Sequence, residues 1–280
     1  MNVGIIGCGK IAQVRHAPEC ASNPSITIAG FFDRVDGRAQ AMSTQYGGRV
    51  YANYEEMLRD PDVDAVIVCT ANVTHAEISI SALRAGKHVL CEKPISVSVE
   101  EAEDIQREAE HSGRLLMVAH NQRFDHVNRK AKQLIQSGAI GDIISFHSEF
   151  SHGGPEQWSI DAANSMYIRK NEAFLGALGD VGIHKIDLMR WMLEDEITEV
   201  RASVKTLQKK DSSQRPLEVE DNAVLLVMTQ KGYQGTVYAS WTNYGRCESS
   251  ADIYGTAGTM HISDSVSDSV IVIQRAGGCT

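Results

Sequence analysis

Apolar residues in the first 120 positions fall into short runs separated by segments of helical period. "NVGIIG" (2–7), "ITIAGFFD" (26–33), "VDAVIVCT" (63–70), "HVLCE" (88–92) and "RLLMVAH" (114–120) read as buried strands. Between them, apolar positions recur at helical spacing from Ile11 to Cys20 and through "GRAQAMSTQYG", "HAEISISALRAG" and "SVEEAEDIQREAEHSG". Gly86 stands where a helix C-terminal cap is expected, and Ser98 with Glu101 three residues later makes a capping box. Strands alternating with helices at this interval predict parallel βαβ units, hence an open α/β sheet covered on both faces.

Beyond Asn121 the pattern changes. A helix through "VNRKAKQLIQSG" leads to the strand "DIISFHSEF", an irregular middle, and a helix from Asp180 to Leu193. "TEVRASVKTLQ", "EDNAVLLVMTQ", "GYQGTVYASWTNYG", "SSADIYGTAG" and "TMHIS" are rich in Val, Thr and Tyr and joined by turn signals, which suits an antiparallel sheet. "SDSVSDS" (263–269) reads as a polar loop. The expected fold class is α/β: a Rossmann-type parallel-sheet domain over 1–120, then an α+β domain over 121–280 with a large, mostly antiparallel sheet for substrate binding and oligomerisation.

Composition narrows the function classes. At 280 residues the chain has room for roughly two domains. It is 42% hydrophobic and 22% charged, in the ordinary globular range. No apolar run reaches the roughly 18–20 residues of a membrane span, and "MNVGIIGCGKIA" lacks the basic leader of a signal peptide. The 27 basic and 36 acidic residues leave a net charge of −9 with no dense basic block, which argues against nucleic acid. Six cysteines without CxxC spacing suit reduced thiols in a cytoplasmic protein better than disulfides or zinc.

The first chemical motif is "GIIGCGKIA". Gly7-x-Gly9-x-x-Ala12, with Lys10 and Ile11 inside the turn, follows a strand and opens a helix. Gly7 permits the tight turn, Gly9 lets a pyrophosphate approach the backbone, and Ala12 allows close helix–strand packing. The helix N-terminus supplies free N–H groups to phosphates. Asp33, twenty-one positions after Ala12, ends the second strand where an acid accepts hydrogen bonds from a ribose 2′-OH. Asp33 favours NAD over NADP because a carboxylate repels a 2′-phosphate; Arg34 beside it can pair with that phosphate, which keeps NADP open, or lie against adenine. A tight βα turn without ligand is the structural alternative.

Ligands of open parallel sheets bind beyond the carboxyl ends of the strands. "CTANVTH" (69–75), "CEKP" and "AHNQRF" (119–124) fall there. Thr70, Asn72 and His75 line the first; Asn72 and Thr74 can hydrogen-bond a nicotinamide ribose or carboxamide, or simply cap the helix that His75 begins. Glu92 can touch the nicotinamide ribose or hold Lys93. The Lys93 ammonium can hydrogen-bond a substrate hydroxyl and stabilise a developing alkoxide. Pro94 restricts Lys93 to extended geometry and permits a cis bond. In "GDVGIHKIDLMRW", Asp180 and His184 share a face if the segment is α-helical, and the histidine can exchange a proton near neutral pH. A helix cap followed by a structural histidine explains the same pair. A metal held by it lacks a third ligand.

Taken together the chain resembles the Gfo/Idh/MocA family of NAD(P)-dependent sugar and polyol oxidoreductases. The match runs through "GIIGCGKIA", "FFDR", "DPDVDAVIVCTANVTHAEISISALRAGKHVLCEKP", "AHNQRF", "LIQSGAIGDI", "GALGDVGIHKIDLMRW" and "YGTAGTM", from residue 3 to about 260. The resemblance implies a catalytic set of Lys93, Asp180 and His184, with His184 removing a proton from a secondary alcohol and Lys93 assisting. It also implies a homodimer or homotetramer formed through the second-domain sheet. Two departures stand out. "FLGALGD" keeps only Gly176 of a glycine run that members often carry, with Phe174 and Leu175 in place of the others. Many members continue for about 50 further residues, so the chain reads as a short member, a truncation or a different build at that edge.

The expected activity is hydride transfer between a nicotinamide coenzyme and a sugar, cyclitol or polyol. The alternatives are NAD-dependent glycoside cleavage through transient oxidation, and a non-catalytic nucleotide sensor. Asn121, Arg123, Trp158, Tyr167 and Arg169 are candidates to contact substrate, and Trp241 to line the pocket. Arg123 or Arg169 would favour an acidic sugar, and a purely structural role explains Arg123, Trp158, Tyr167, Arg169 and Trp241 equally well.

Overall fold

The computed structural model describes residues 1–161, 165–264, 269–275 and 277. Its contacts divide the chain into two units. The first comprises Met1–Ala119 with Trp158–Met166 and Asn171–Phe174; the second comprises His120–Gln157, Tyr167–Lys170 and Leu175–Thr280.

The first unit is built on six strands: β1 (Asn2–Ile6), β2 (Thr27–Phe32), β3 (Arg49–Val50), β4 (Ala65–Val68), β5 (His88–Cys91) and β6 (Leu116–Val118). They pair in the order β3-β2-β1-β4-β5-β6, every neighbour parallel. The strand order reverses between β1 and β4, and a doubly wound sheet offers its ligand crevice at that switch point. All carboxyl ends share one edge, so Gly7, Asp33, Cys69, Glu92 and Ala119 line it. Ile6, Val66, Val68, Val89 and Cys91 lie buried against Ile78, Ala82, Leu83 and Ile105 of the covering helices. Val3, Ile5, Phe31 and Ile67 serve a second cluster with Ala12, Ala17 and Met42. Both faces are therefore apolar, which explains why these strands read as continuous hydrophobic runs rather than alternations.

The helix of the glycine turn runs over 10–22 and includes a π turn, Ala12–His16, that the spacing alone does not signal. Helix Val99–Ser112 starts as expected: Ser98 Oγ accepts from Glu101 N at 3.2 Å, and Glu101 Oε2 accepts from Val97 N. Helix His75–Arg84 ends before Gly86, whose φ is +75°.

The second unit carries β7 (Ile143–Ser151), β8 (Ile197–Lys205), β9 (Asn222–Thr229), β10 (Gln234–Ser240), β11 (Glu248–Gly255), β12 (Gly258–Asp264) and β13 (Ser269–Arg275) in the order β13-β12-β11-β7-β10-β9-β8. Only β7 and β10 are parallel. Helices His126–Gln136 and Ile183–Leu193 contribute Val127, Ala131, Leu188, Met189 and Met192 to a core with Phe146, Leu225, Val227, Val237, Trp241, Ile253 and Met260. The segment expected as a polar loop over 263–269 differs at both ends: Ser263 and Asp264 close β12 and Ser269 opens β13. Positions 265–268 lie outside the described residues.

Candidate active site

The glycine turn works through its backbone. Gly7 has φ +94°, and a Cβ there would sit 2.5 Å from the Cys69 carbonyl oxygen, so both conformation and space demand glycine. Its N–H extends the sheet by bonding Phe32 O at 2.7 Å, as Cys69 N does to Ile6 O. At Gly9 an added Cβ would meet no heavy atom within 4 Å. That opening suits the approach of a pyrophosphate, and the first N–H groups of helix 10–22 have no intrahelical acceptors. Asp33 is anchored from both sides: Oδ2 accepts from Cys8 N at 2.6 Å and Oδ1 from Val35 N at 2.7 Å. The Cys8 thiol between them is pushed up to about 12, first by burial, then by Asp33, with Arg38 opposing. It is an inert thiol beside a fixed carboxylate. These residues fit an adenine dinucleotide: open backbone for phosphate, helix N-terminus behind it, an oriented acid for ribose.

Arg34, which the sequence left open to a 2′-phosphate or to adenine, is engaged. Its Nη2 donates to Glu172 Oε1 at 2.7 Å. That bond, followed by the Glu172 charge, holds the guanidinium above its ordinary value.

Further along the same edge, Glu92 is half-buried, its side chain 12% exposed, and ionised. Burial pushes its carboxyl up; the hydrogen bond with His16 and the Lys93 charge outweigh that and leave it below the usual range. His16 Nε2 lies 2.8 Å from Glu92 Oε1, and Lys93 N donates to Oε2 at 3.1 Å. Glu92 thereby fixes the backbone that carries the half-buried Lys93. The Lys93–Pro94 bond is cis. His75 is 1% exposed, with Nδ1 2.7 Å from Pro94 O and Nε2 3.2 Å from Thr70 O. Its side chain faces these carbonyls rather than solvent, so it braces two loops of the edge instead of reaching a ligand. Burial holds its pKa below the ordinary value.

Asn72 does not cap the helix that His75 begins. Helix His75–Arg84 has no side-chain cap, and Asn72 Nδ2 donates to Ala173 O at 2.9 Å. Thr74 Oγ1 donates within the turn, to Thr70 Oγ1 and Ala71 O.

In the second unit, helix 177–193 begins with a π turn, Leu178–Gly182, so the spacing from Asp180 to His184 is not a plain α-helical i, i+4 step. Its start is satisfied from a distance. Glu220 Oε1 accepts from Gly176 N and Leu178 N, and Glu220 O from Ala177 N. A carboxylate at this end also suits the helix dipole. Gly176 is required for that approach, since its Cβ would fall 1.8 Å from Glu220 O.

Phe174 holds φ +65°, a region a bulky residue rarely adopts, and is 44% exposed. The residue that departs from the expected glycine run has kept a glycine-like backbone.

Asp180 sits where β7 and β10 finish side by side. Trp241, directly after β10, is fully buried and donates from Nε1 to Asp180 Oδ2 at 3.1 Å. His152, directly after β7, brings Nε2 to 3.9 Å of the same oxygen. The Phe150 ring packs 6.0 Å from both the His152 and His184 rings. Trp241, expected as a pocket wall, is instead a core residue that orients Asp180. Sequence spacing offered no sign of this contact, because the partners are 61 positions apart.

Arg123 is also spoken for: Nε and Nη2 donate to the two Asp187 oxygens at 2.7 and 2.5 Å. That fork neutralises the charge expected to attract an acidic sugar. Asn121 and Arg169 are exposed, Tyr167 packs partly on the second-unit core, and Trp158 is 40% exposed in the first unit.

Comparisons with known proteins agree with this architecture. Residues 1–120 match the oxidoreductase family with an NAD-binding Rossmann fold, and residues 128–261 match the GFO/IDH/MocA C-terminal domain. The myo-inositol 2-dehydrogenase of Thermotoga maritima is 27% identical, over 99% of this chain and 79% of its own length. The levoglucosan dehydrogenase of Pseudarthrobacter phenanthrenivorans is 27% identical, over 93% and 73%. Among solved structures, GenD2 from gentamicin A biosynthesis in complex with NAD aligns with TM-score 0.85 at 28% identity, covering 94% of this chain and 72% of that one. Levoglucosan dehydrogenase in complex with NADH and levoglucosan aligns with TM-score 0.83 at 26% identity, covering 99% and 80%. With both of its characteristic domains matched in sequence, the chain belongs to the Gfo/Idh/MocA family of oxidoreductases.

Proposed function

We propose that the protein oxidises a secondary hydroxyl of a sugar or cyclitol, or reduces the corresponding ketone, with Lys93, Asp180 and His184 as its catalytic residues. The observation that carries the substrate class is the kinship over nearly the whole chain with inositol and levoglucosan dehydrogenases. When bound, the nicotinamide coenzyme supplies the hydride acceptor. The chain's own residues handle the proton. His184 takes it from the hydroxyl as the carbon–hydrogen bond breaks, and in the reverse direction returns it to the alkoxide. Lys93, on a backbone fixed by Glu92, donates a hydrogen bond to the developing alkoxide. Asp180, fixed at Oδ2 by Trp241, orients the hydroxyl-bearing ring or the imidazole.

The test is a screen of cyclitols, aldoses and anhydrosugars for coenzyme reduction, with Lys93→Met and His184→Ala as controls. Each variant is expected to lose turnover by about 10²-fold or more. Wild-type turnover in both would overturn the residue assignment.

The open face of the second-unit sheet supports a homo-oligomer. Val224, Leu226, Tyr254, Val270 and Val272 are exposed on strands whose opposite faces fill the core, spaced by His147, Thr236, Asp252 and His261 of the strands between them. Exposed apolar side chains mixed with polar ones on one sheet face support an interface with a second copy. A monomer by light scattering at working concentration would sink this assignment. Four buried free thiols, Cys8, Cys20, Cys69 and Cys91, support a reducing, cytoplasmic setting. Among the described residues no helix is long and apolar enough to cross a membrane.

A further inference from the structure

Two arginines stand near the acid that ends β2. Arg34 follows Asp33 directly, and Arg38 opens helix Arg38–Tyr46 and lies close enough to Cys8 to oppose the rise of its thiol. Either would be a natural partner for the 2′-phosphate of NADP, which is dianionic and seeks a guanidinium. Both are already engaged. Arg34 Nη2 is bound to Glu172 Oε1 at 2.7 Å, and Arg38 Nη2 to Asp161 Oδ1 at 2.5 Å.

Both carboxylates come from remote positions, 138 and 123 residues along the chain, in the two short segments that join the first unit. Glu172 is well enclosed, its side chain 13% exposed against 66% for Arg34, so it holds one orientation while the arginine reaches to it. Asp161 also bears on Arg34 through its charge. Arg34 and Arg38 thus face three carboxylates, Asp33, Asp161 and Glu172. A 2′-phosphate arriving here meets those carboxylates and two guanidiniums that each already donate to one of them. A ribose 2′-OH meets an oriented carboxylate that accepts its hydrogen bond.

We propose that Glu172 and Asp161 are coenzyme-specificity residues: by neutralising Arg34 and Arg38 they make the site select NAD and reject NADP. The inference deepens the dinucleotide assignment and rests on it. An ordinary surface ion pair contributes little to stability, so anchoring alone gives these two pairs small weight. Their weight here lies in removing anion-binding groups from a phosphate subsite.

The experiment measures NAD⁺ and NADP⁺ binding to the full chain by titration calorimetry, without substrate. Glu172→Gln and Asp161→Asn, singly and together, keep shape while releasing the arginines. The double variant is expected to bind NADP⁺ at least about tenfold more tightly than wild type, a gain of one charge-assisted contact. NAD⁺ affinity should change less than threefold. Adding Arg34→Ala and Arg38→Ala to the double variant should erase the gain; in the wild-type background the same two changes should leave NADP⁺ binding weak.

Unchanged NADP⁺ affinity in the double variant would overturn the proposal, as would loss of both nucleotides together, which would mean the pairs hold the site rather than mask it. Failure of wild type to bind either nucleotide would strike the dinucleotide assignment itself.

Discussion

The candidate residues of the two units are held by different means. In the first unit the ligand-facing surface is mostly backbone: a left-handed glycine, an open glycine and the free end of a helix. Side chains such as Asp33 and Glu92 are tied down by main-chain N–H groups. In the second unit the working surface is side chain on side chain, with Asp180 held by an indole and His184 packed beside Phe150. A backbone site is encoded locally and fails when atoms are added. A side-chain site is encoded across the fold and fails when a single partner is removed.

That contrast can be broken in order of expected effect. Gly7→Ala should do most damage, since the new methyl meets the Cys69 carbonyl at 2.5 Å in a conformation unfavourable to alanine. We expect a loss of about 2–4 kcal/mol in stability and of detectable NAD binding, read by thermal unfolding and calorimetry. A folded, NAD-binding variant would show that the turn tolerates added atoms.

Trp241→Phe keeps most of the packing and deletes the N–H donated to Asp180. Hydrogen bonds to charged groups contribute about 1.5–3 kcal/mol, so kcat/KM should fall roughly tenfold to a hundredfold while NAD affinity stays constant. A parallel fall in NAD affinity would mean that Trp241 acts on the whole molecule and not on Asp180.

The smallest effect is a pH dependence from His75. Burial lowers its folded pKa below the ordinary value of 6.5, so in that window the unfolded chain carries the extra proton. Its contribution to stability is complete above pH 6.5 and is lost as pH falls towards the folded value. His75→Gln should flatten the decline between neutrality and mildly acidic pH by at most about 1.4 kcal/mol per pH unit. Equal slopes in the two proteins, by denaturant titration, would remove His75 from the acid limb.

Much of the parallel sheet was legible because strands buried on both faces are hydrophobic throughout and their helices carry caps such as Ser98 and Glu101. Strand β3 escaped notice: two residues, Arg49 and Val50, both exposed, give no periodic signal. Strand β13 was hidden for the opposite reason. In "SVIVIQR" the outward Val270 and Val272 are as apolar as the inward Ile271 and Ile273, so no alternation marks it.

At the site, the glycine turn and Asp33 were readable because their chemistry is local. The indole on Asp180, the Glu220 carboxylate under Gly176 and the acids on Arg34 and Arg38 were not. Each joins residues tens of positions apart, and neither partner carries a mark of the other. The π turn Leu178–Gly182 was not legible for a third reason, since it changes which positions face together without changing composition.

The interrupted course of the first unit bears on how such proteins can be recombined. Its contiguous part, Met1–Ala119, holds the sheet, the glycine turn and both arginines, but Asp161 and Glu172 lie outside it. A graft of that stretch onto another catalytic half would carry the arginines without their partners. Whatever acids the new host placed at those two positions would then decide which coenzyme pool the chimera drew on. Coenzyme choice, by this layout, is inherited from the host of the module as much as from the module itself.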